Sequence, residues 1–306
     1  MKAVQANSDQ YSRVALFGVC FWDTVADVPI EEGLVVRAYP ANETRYVVDL
    51  QANRSGIQVL HDAPGLSRTA RGKGDKDFWK NLPEKRLLYV FEVNHTREWF
   101  HPTRFTATLP VEGLFAPELP ESAPPTPHKL FPPPAGRAIF PLYSSVVRPS
   151  PVGMAVLRAD LGLNGSEDVP APWALMVAEQ NKNIIARAVA DNLGKIAIHI
   201  PYLQPQRRKP VPISSVPIPA SGVTSVWEWP ITLRIFHSPT MRSDSIPDYY
   251  DLFMQPEARL IDSPGTDSSD AKELREISLL YGQELTLKTQ GYSNLWIAPA
   301  VPDLPV

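Results

Sequence analysis

Proline is the residue that most constrains this chain. It supplies 33 of 306 residues, about twice its usual ~5% share, and where it falls matters as much as how often. A chain interrupted this frequently cannot be built of long helices. Each interior proline removes a backbone donor and clashes with the preceding turn, at ~3 kcal/mol. Strands tolerate proline at their ends and edges, and Pro40, Pro110 and Pro201 each follow an apolar run. Two stretches, residues 117–134 and 201–219, are dense with it. The first reads as a semi-rigid, polyproline-like connector and therefore as the main domain boundary. With only 16 glycines, the chain is not a flexible polymer.

Hydrophobic residues make up 43% of the sequence and the net charge is −3, from 30 basic and 33 acidic residues. That balance belongs to a globular protein rather than a disordered one. It lacks the dense basic footprint that nucleic-acid binding requires, and the short run Arg207-Arg208-Lys209 between prolines reads as a solvated loop. No run approaches the ~18 apolar residues of a membrane span. Met1–Ser8 lacks the apolar core of a signal peptide, so a soluble, cytoplasmic protein is expected. The single cysteine, Cys20, excludes an intrachain disulfide. Its place in the apolar run Val14–Trp22 reads as a buried small hydrophobe rather than a nucleophile.

Strand patterns dominate the chain. Val14–Phe21, Gly33–Tyr39, Arg45–Leu50 and Ile57–Leu60 come first, with Asn53-Arg54-Ser55-Gly56 as a hairpin turn that places glycine at positive φ. Residues 67–86 read as a long exposed loop carrying Phe78 and Trp79. Leu87–Val93 and Arg104–Leu109 follow, the second with Phe105, Ala107 and Leu109 on one face. After the connector, Ala138–Val147, Met154–Leu161, Trp173–Ala178, Ile184–Ala190 and Lys195–Ile200 read as strands. In the last of these, Ile196, Ile198 and Ile200 form an apolar face with His199 opposite, which is expected to meet solvent. In Val226–Phe236, the residues Trp227, Trp229, Ile231, Leu233 and Ile235 share a face. A helix is expected near 270–281, where Asp270 and Glu273 have capping-box spacing, Leu274, Ile277 and Tyr281 form a stripe, and Gly282 could end it. Leu285–Lys288 and Asn294–Ile297 read as final strands.

The expected fold is therefore mainly β: two β-sandwich domains of transthyretin or immunoglobulin type with proline-rich connectors and one short C-terminal helix. The length suits two domains. They are placed at 1–116 and 138–237, with a linker at 117–137, a proline-rich loop at 201–219, and residues 238–306 as a C-terminal extension.

The chemistry of the sequence is sparse. None of the six histidines pairs with another at ligand spacing, and there is no Cys-x-x-Cys, so no metal site is expected. There is no Gly-x-Ser-x-Gly elbow, and Gly72-Lys73-Gly74 is not a P-loop. No catalytic residue and no cofactor are therefore assigned. The loop and strand-end aromatics Trp79, Trp99, Phe100, Trp227 and Trp229 are the candidates for an interface or for stacking on a glycan.

Two resemblances follow. Met154–Leu157, Val169–Val177, Ala188–Ile198 and the closing Ile200-Pro201 resemble the carboxypeptidase regulatory-like module, with Ala190 and Ile196 where that family has threonine and an aromatic. The resemblance implies a small transthyretin-like sandwich, adhesive or structural and without catalytic residues. Ser55–Leu66, Asp77-Phe78-Trp79 and Phe105–Phe115 resemble accessory proteins of phage-tail-like contractile injection systems. That implies a non-enzymatic building block at an end of the particle, as cap, collar or baseplate periphery. Its partners would be sheath, tube, cap or baseplate subunits, and it would be a ring-forming homo-oligomer, cytoplasmic and incorporated into a large assembly. A glycan- or protein-binding β-sandwich using exposed loop aromatics is the alternative.

Overall fold

A computed structural model of the chain describes residues 15–66, 86–117, 138–164, 169–202, 228–264, 271–280 and 284–299. The fold is mainly β, as the strand patterns require. Apart from Pro117, the proline connector at 117–134 lies outside the described residues, as do almost all of the second proline-rich stretch and the rings of Trp79 and Trp227. The chain forms two compact units. The first falls within Met1–Ala123, Phe131–Leu142 and Ile246–Tyr250, and the second within Pro124–Leu130, Tyr143–Ser245 and Asp251–Val306.

In the first unit the apolar run at 14–21 is not one strand. It breaks at Cys20 into β1 (Phe17–Val19) and β2 (Phe21–Asp23), which join different sheets. The remaining strands are β3 (Val28–Pro29), β4 (Leu34–Pro40), β5 (Val48–Asp49), β6 (Gln51–Ala52), β7 (Gln58–Leu60), β8 (Leu87–His95), β9 (Thr103–Leu109) and β10 (Phe140–Leu142). They form sheets of order β1-β7-β6, β10-β2-β3 and β5-β4-β8-β9. The hairpin β6–β7 turns where expected. Gly56 sits at φ 73, and the Asn53 Oδ1 accepts from the N–H groups of Ser55 and Ile57. On β9, Phe105, Ala107 and Leu109 are buried together. Phenylalanines from the separate sheets meet in one core. Phe17 lies 4.2 Å from Phe91, Phe91 stacks on Phe105 at 4.9 Å and 6°, and Phe105 is 4.5 Å from Phe140. Such ring pairs add about 0.5–1.5 kcal/mol each beyond area burial.

The second unit holds β11 (Met154–Leu163), β12 (Leu175–Gln180), β13 (Asn183–Val189), β14 (Lys195–Pro201), β15 (Glu228–Phe236), β16 (Glu257–Ser263), β17 (Lys272–Glu273), β18 (Glu276–Leu280), β19 (Leu285–Leu287) and β20 (Leu295–Pro299). Their main order is β13-β12-β15-β16-β20-β11-β14, with β17, β18 and β19 pairing on β16, β15 and β11. The strands at the two ends of that order, β13 and β14, are joined by the short turn Ala190–Gly194, so the sheet must fold over on itself. β11 makes this possible by changing partner along its length. Met154–Asp160 pair with β14, and Leu161–Leu163 pair with β20. Leu157, Met176, Ile198, Ile231, Leu260 and Leu295 lie in the single large core this creates. On β15, Trp229, Ile231, Leu233 and Ile235 all point into it. Arg234 lies on the other face, where it reaches Glu179 and Glu257.

Three expectations are corrected. No helix occupies 272–280. Those residues are β17 and β18, because Ile277 and Leu279 alternate into the core while β18 pairs with β15. The only helix among the described residues is α1 (Tyr249–Phe253). Residues 238–306 are not an extension, since β16, β18 and β20 complete the sheet begun by β11–β15. His199 is 3% exposed rather than solvated, because β14 is buried on both faces along its centre.

Candidate functional site

Three of the predicted aromatics, Trp99, Phe100 and Trp229, fall within the described residues. Phe100 and Trp229 are buried, Trp229 as part of the second unit's core. Both are packing residues rather than exposed binding groups. Trp99 is partly buried at the tip of the β8–β9 hairpin. His95 stacks on it at 5.7 Å and 16°, and the Arg97 guanidinium lies 5.0 Å over its ring. The ring that sequence marked for sugar stacking is already engaged by its own loop.

Among the described residues no group of three or more His, Cys, Asp or Glu side chains could hold a metal ion. Burial pushes the Cys20 thiol pKa up, which favours the protonated, unreactive form.

The most elaborated local arrangement is one that sequence reading missed. In the second unit, Leu163 and residues 169–172 on one side and the segment after β15 on the other border an open groove of about 400 Å³, within the size range of ligand pockets. One wall is Leu163, Val169, Pro170 and Pro172, and the other carries Pro239 and Met241. The proline rings supply apolar surface and fixed backbone without adding N–H donors.

A buried scaffold holds the two walls in register. Trp173 sits at φ 58, a left-handed conformation rarely adopted by bulky residues and sustained only where its surroundings impose it. Its indole Nε1–H donates to the Arg242 carbonyl at 2.8 Å. Gln255, 1% exposed, donates through Nε2 to the Trp173 carbonyl and to Leu252, and its Oε1 accepts from Ser238 N–H. The glutamine therefore ties the first wall to the second.

The electrostatics of the groove are muted. Arg242 and Asp244 at its rim neutralise each other through a bidentate pair of 3.0 and 2.8 Å, and the hydrogen bond from Arg242 holds the Asp244 carboxyl pKa below its usual value. His237 also lines the groove. Its ring is 7% exposed, and its Nε2 is buried without a hydrogen-bond partner. A buried polar group left so costs about 1–3 kcal/mol. Burial also lowers the imidazole pKa, so the ring is neutral at pH 7. Nothing in the sequence signalled this site: its residues come from two loops about 70 positions apart and follow no motif.

No protein-family model matches the chain, and no curated protein matches it. Among solved structures it is similar to the Bacillus anthracis TIE protein, at 10% identity and a TM-score of 0.22, over 88% of this chain and 44% of that one. It is also similar to a "putative adhesin" from Bacteroides ovatus, at 12% identity and a TM-score of 0.21, over 95% of this chain and 94% of that one. The chain spans less than half the length of the first of these. Likeness at such TM-scores carries no argument about what this chain does. No helix among the described residues is long and apolar enough to cross a membrane.

Proposed function

We propose that this chain is a non-enzymatic assembly component, a pair of β units that dock on other proteins at an end of a contractile, phage-tail-like injection particle. The groove at His237 is the observation that carries the binding part of this reading. It combines apolar side chains such as Pro172 and Met241 with Ser243, a rim whose charges cancel and one neutral imidazole, an arrangement suited to holding an occupant. The charged groups at its rim, Arg242 and Asp244, are committed to each other.

The particle assignment rests on the sequence resemblance of Ser55–Leu66, Asp77–Trp79 and Phe105–Phe115. The module resemblance over 154–201 agrees with it in sense, since such modules are adhesive or structural. Sheath, tube, cap or baseplate subunits are the partners this reading names, and a ring of copies is the form it gives the chain. Co-expression of a tagged copy with its neighbouring genes, followed by sedimentation and negative-stain imaging, tests the reading. The expected result is co-sedimentation with a tubular particle and added density at one end. A chain recovered only as a monomer, absent from every large assembly, refutes it.

A further inference from the structure

We propose that the outer face of the sheet β5-β4-β8-β9 pairs with the same face of a second copy of this chain, across a two-fold axis that runs along the strands between β4 and β8. This goes beyond the particle reading and does not depend on it.

The sheet turns one face into the core of the first unit. Val36, Ala38, Phe91 and Phe105 are buried there, and strand alternation sends their neighbours outward. The register sets those neighbours in rows. Asp49 stands opposite Arg37, Arg37 opposite Glu92, Glu92 opposite Arg104, and Arg104 opposite Asp248 of the same unit. The charges therefore alternate in sign across the whole sheet. Arg37 and Asp49 lie 3.6 Å apart with side chains 57% and 75% exposed, and the Arg104 side chain is 40% exposed. Solvated pairs of this kind add little to the stability of one copy. Two residues further along the strands, Tyr39 stands opposite Val90 and Val90 opposite Thr106, with Leu88 exposed beyond them. The Tyr39 hydroxyl donates to Glu92 at 2.9 Å, which ties this second row to the first.

The order of the charges selects the occupant. A half-turn about an axis parallel to the strands keeps every residue at its place along the strand and reverses the order across the sheet. With the axis between β4 and β8, Arg37 meets Glu92 of the second copy, and Asp49 meets Arg104 of the second copy. Tyr39 meets Val90 in the same way, so apolar surface falls on apolar surface. The face is its own complement in both rows, as a two-fold contact requires, and sheets stack in this manner. Strands of seven residues, as in β4 and β9, set four abreast at ~4.8 Å present roughly 450 Å² per copy. That is small for a specific interface, so the pair is weak and sensitive to salt.

Sedimentation equilibrium of the full-length chain, at up to about 500 µM in about 50 mM salt, tests this. A monomer–dimer equilibrium is expected, at least tenfold weaker in about 500 mM salt. Arg37→Glu and Glu92→Arg each set like charges face to face across the axis, and each is expected to weaken pairing at least tenfold. Mixing the two variants restores both contacts, so the mixture is expected to pair within about threefold of the parent affinity. Mixing repairs no contact inside one copy, so only pairing through residues 37 and 92 gives that result. Near-ultraviolet circular dichroism reports whether each variant keeps its fold. Should either fail to fold, Asp49→Arg mixed with Arg104→Glu applies the same test at the second contact.

A parent chain that stays monomeric throughout overturns the proposal, whether the face meets solvent or a different protein. So does a dimer that persists unchanged in the folded single variants, because it pairs through another surface. A mixture that pairs no better than its folded components overturns it as well.

Discussion

Trp173 adopts a backbone conformation in which glycine is the usual occupant, and its neighbours make that tolerable. Its indole and its carbonyl are both committed to hydrogen bonds, and its ring is buried. His237, across the same groove, has the opposite problem, with a buried nitrogen and no partner. This gives stability a pH dependence of definite sign. Burial disfavours the imidazolium, while the unfolded chain takes up its proton near the ordinary value of about 6.5. The unfolded state therefore binds more protons as pH drops below that value, and stability declines until the folded ring is itself protonated. The urea midpoint is expected to be lower at pH 5.5 than at pH 7.5. In His237→Phe the difference between the two midpoints should shrink. An unchanged difference would show that His237 does not carry the effect.

At the scale of elements, the turn joining β13 to β14 carries more than a turn usually does, because the strands it connects end the sheet on opposite sides. The Asp191 Oδ1 accepts from the N–H groups of Leu193 and Lys195. Gly194 closes the turn at φ 78, where an added Cβ would lie 2.4 Å from the Leu161 carbonyl oxygen. The oxygen belongs to the backbone, as does the Ala171 nitrogen 3.1 Å from the same Cβ, so little can yield. Gly194→Ala is expected to destabilise the second unit by about 2 kcal/mol or more, read as a lowered urea midpoint. A midpoint within error of the parent would show that the sheet does not depend on this closure.

The same turn shows what was legible in the sequence. Its chemistry was readable from Asp191 to Gly194, and so were the faces of β9, β14 and β15, because period-two alternation survives wherever one face is buried. What the turn connects was not readable, since a sharp bend does not say whether the strands it joins will pair. The segment at 272–280 was misread for a related reason. Leu274 and Ile277 fit a helical stripe, and Ile277 and Leu279 fit an alternating strand. The choice was made by β15, about 45 residues earlier, whose edge β18 completes. The groove was beyond sequence reading altogether, because its walls are loops whose meeting is a product of the finished fold.

At the scale of the whole molecule, the chain comes back to its first unit after starting the second. Leaving at Leu142, it builds β11–β15 and then returns for Ile246–Tyr250. The return is structural: the Pro247 carbonyl accepts from Arg104 N–H on β9, and Tyr249 packs 4.6 Å from Phe140. A fragment ending at Leu142 therefore lacks a piece of the unit it contains. Its Arg104 amide is expected to exchange with solvent at least tenfold faster than in the full chain, and appending residues 246–250 through a flexible linker should restore protection. Equal protection in the fragment would mean that the returning segment is dispensable.

The change of partner along β11 also reaches into biosynthesis. Leu161 pairs with Leu295, which a ribosome adds more than 130 residues later. At about 5–20 residues per second, the far half of β11 waits roughly 7–27 seconds with an unsatisfied edge before its neighbour emerges. During that interval the nascent second unit displays apolar strand surface to everything around it. Safe burial of β11 thus waits on β20, and translation interrupted before Leu295 leaves an aggregation-prone chain rather than a slightly shortened protein.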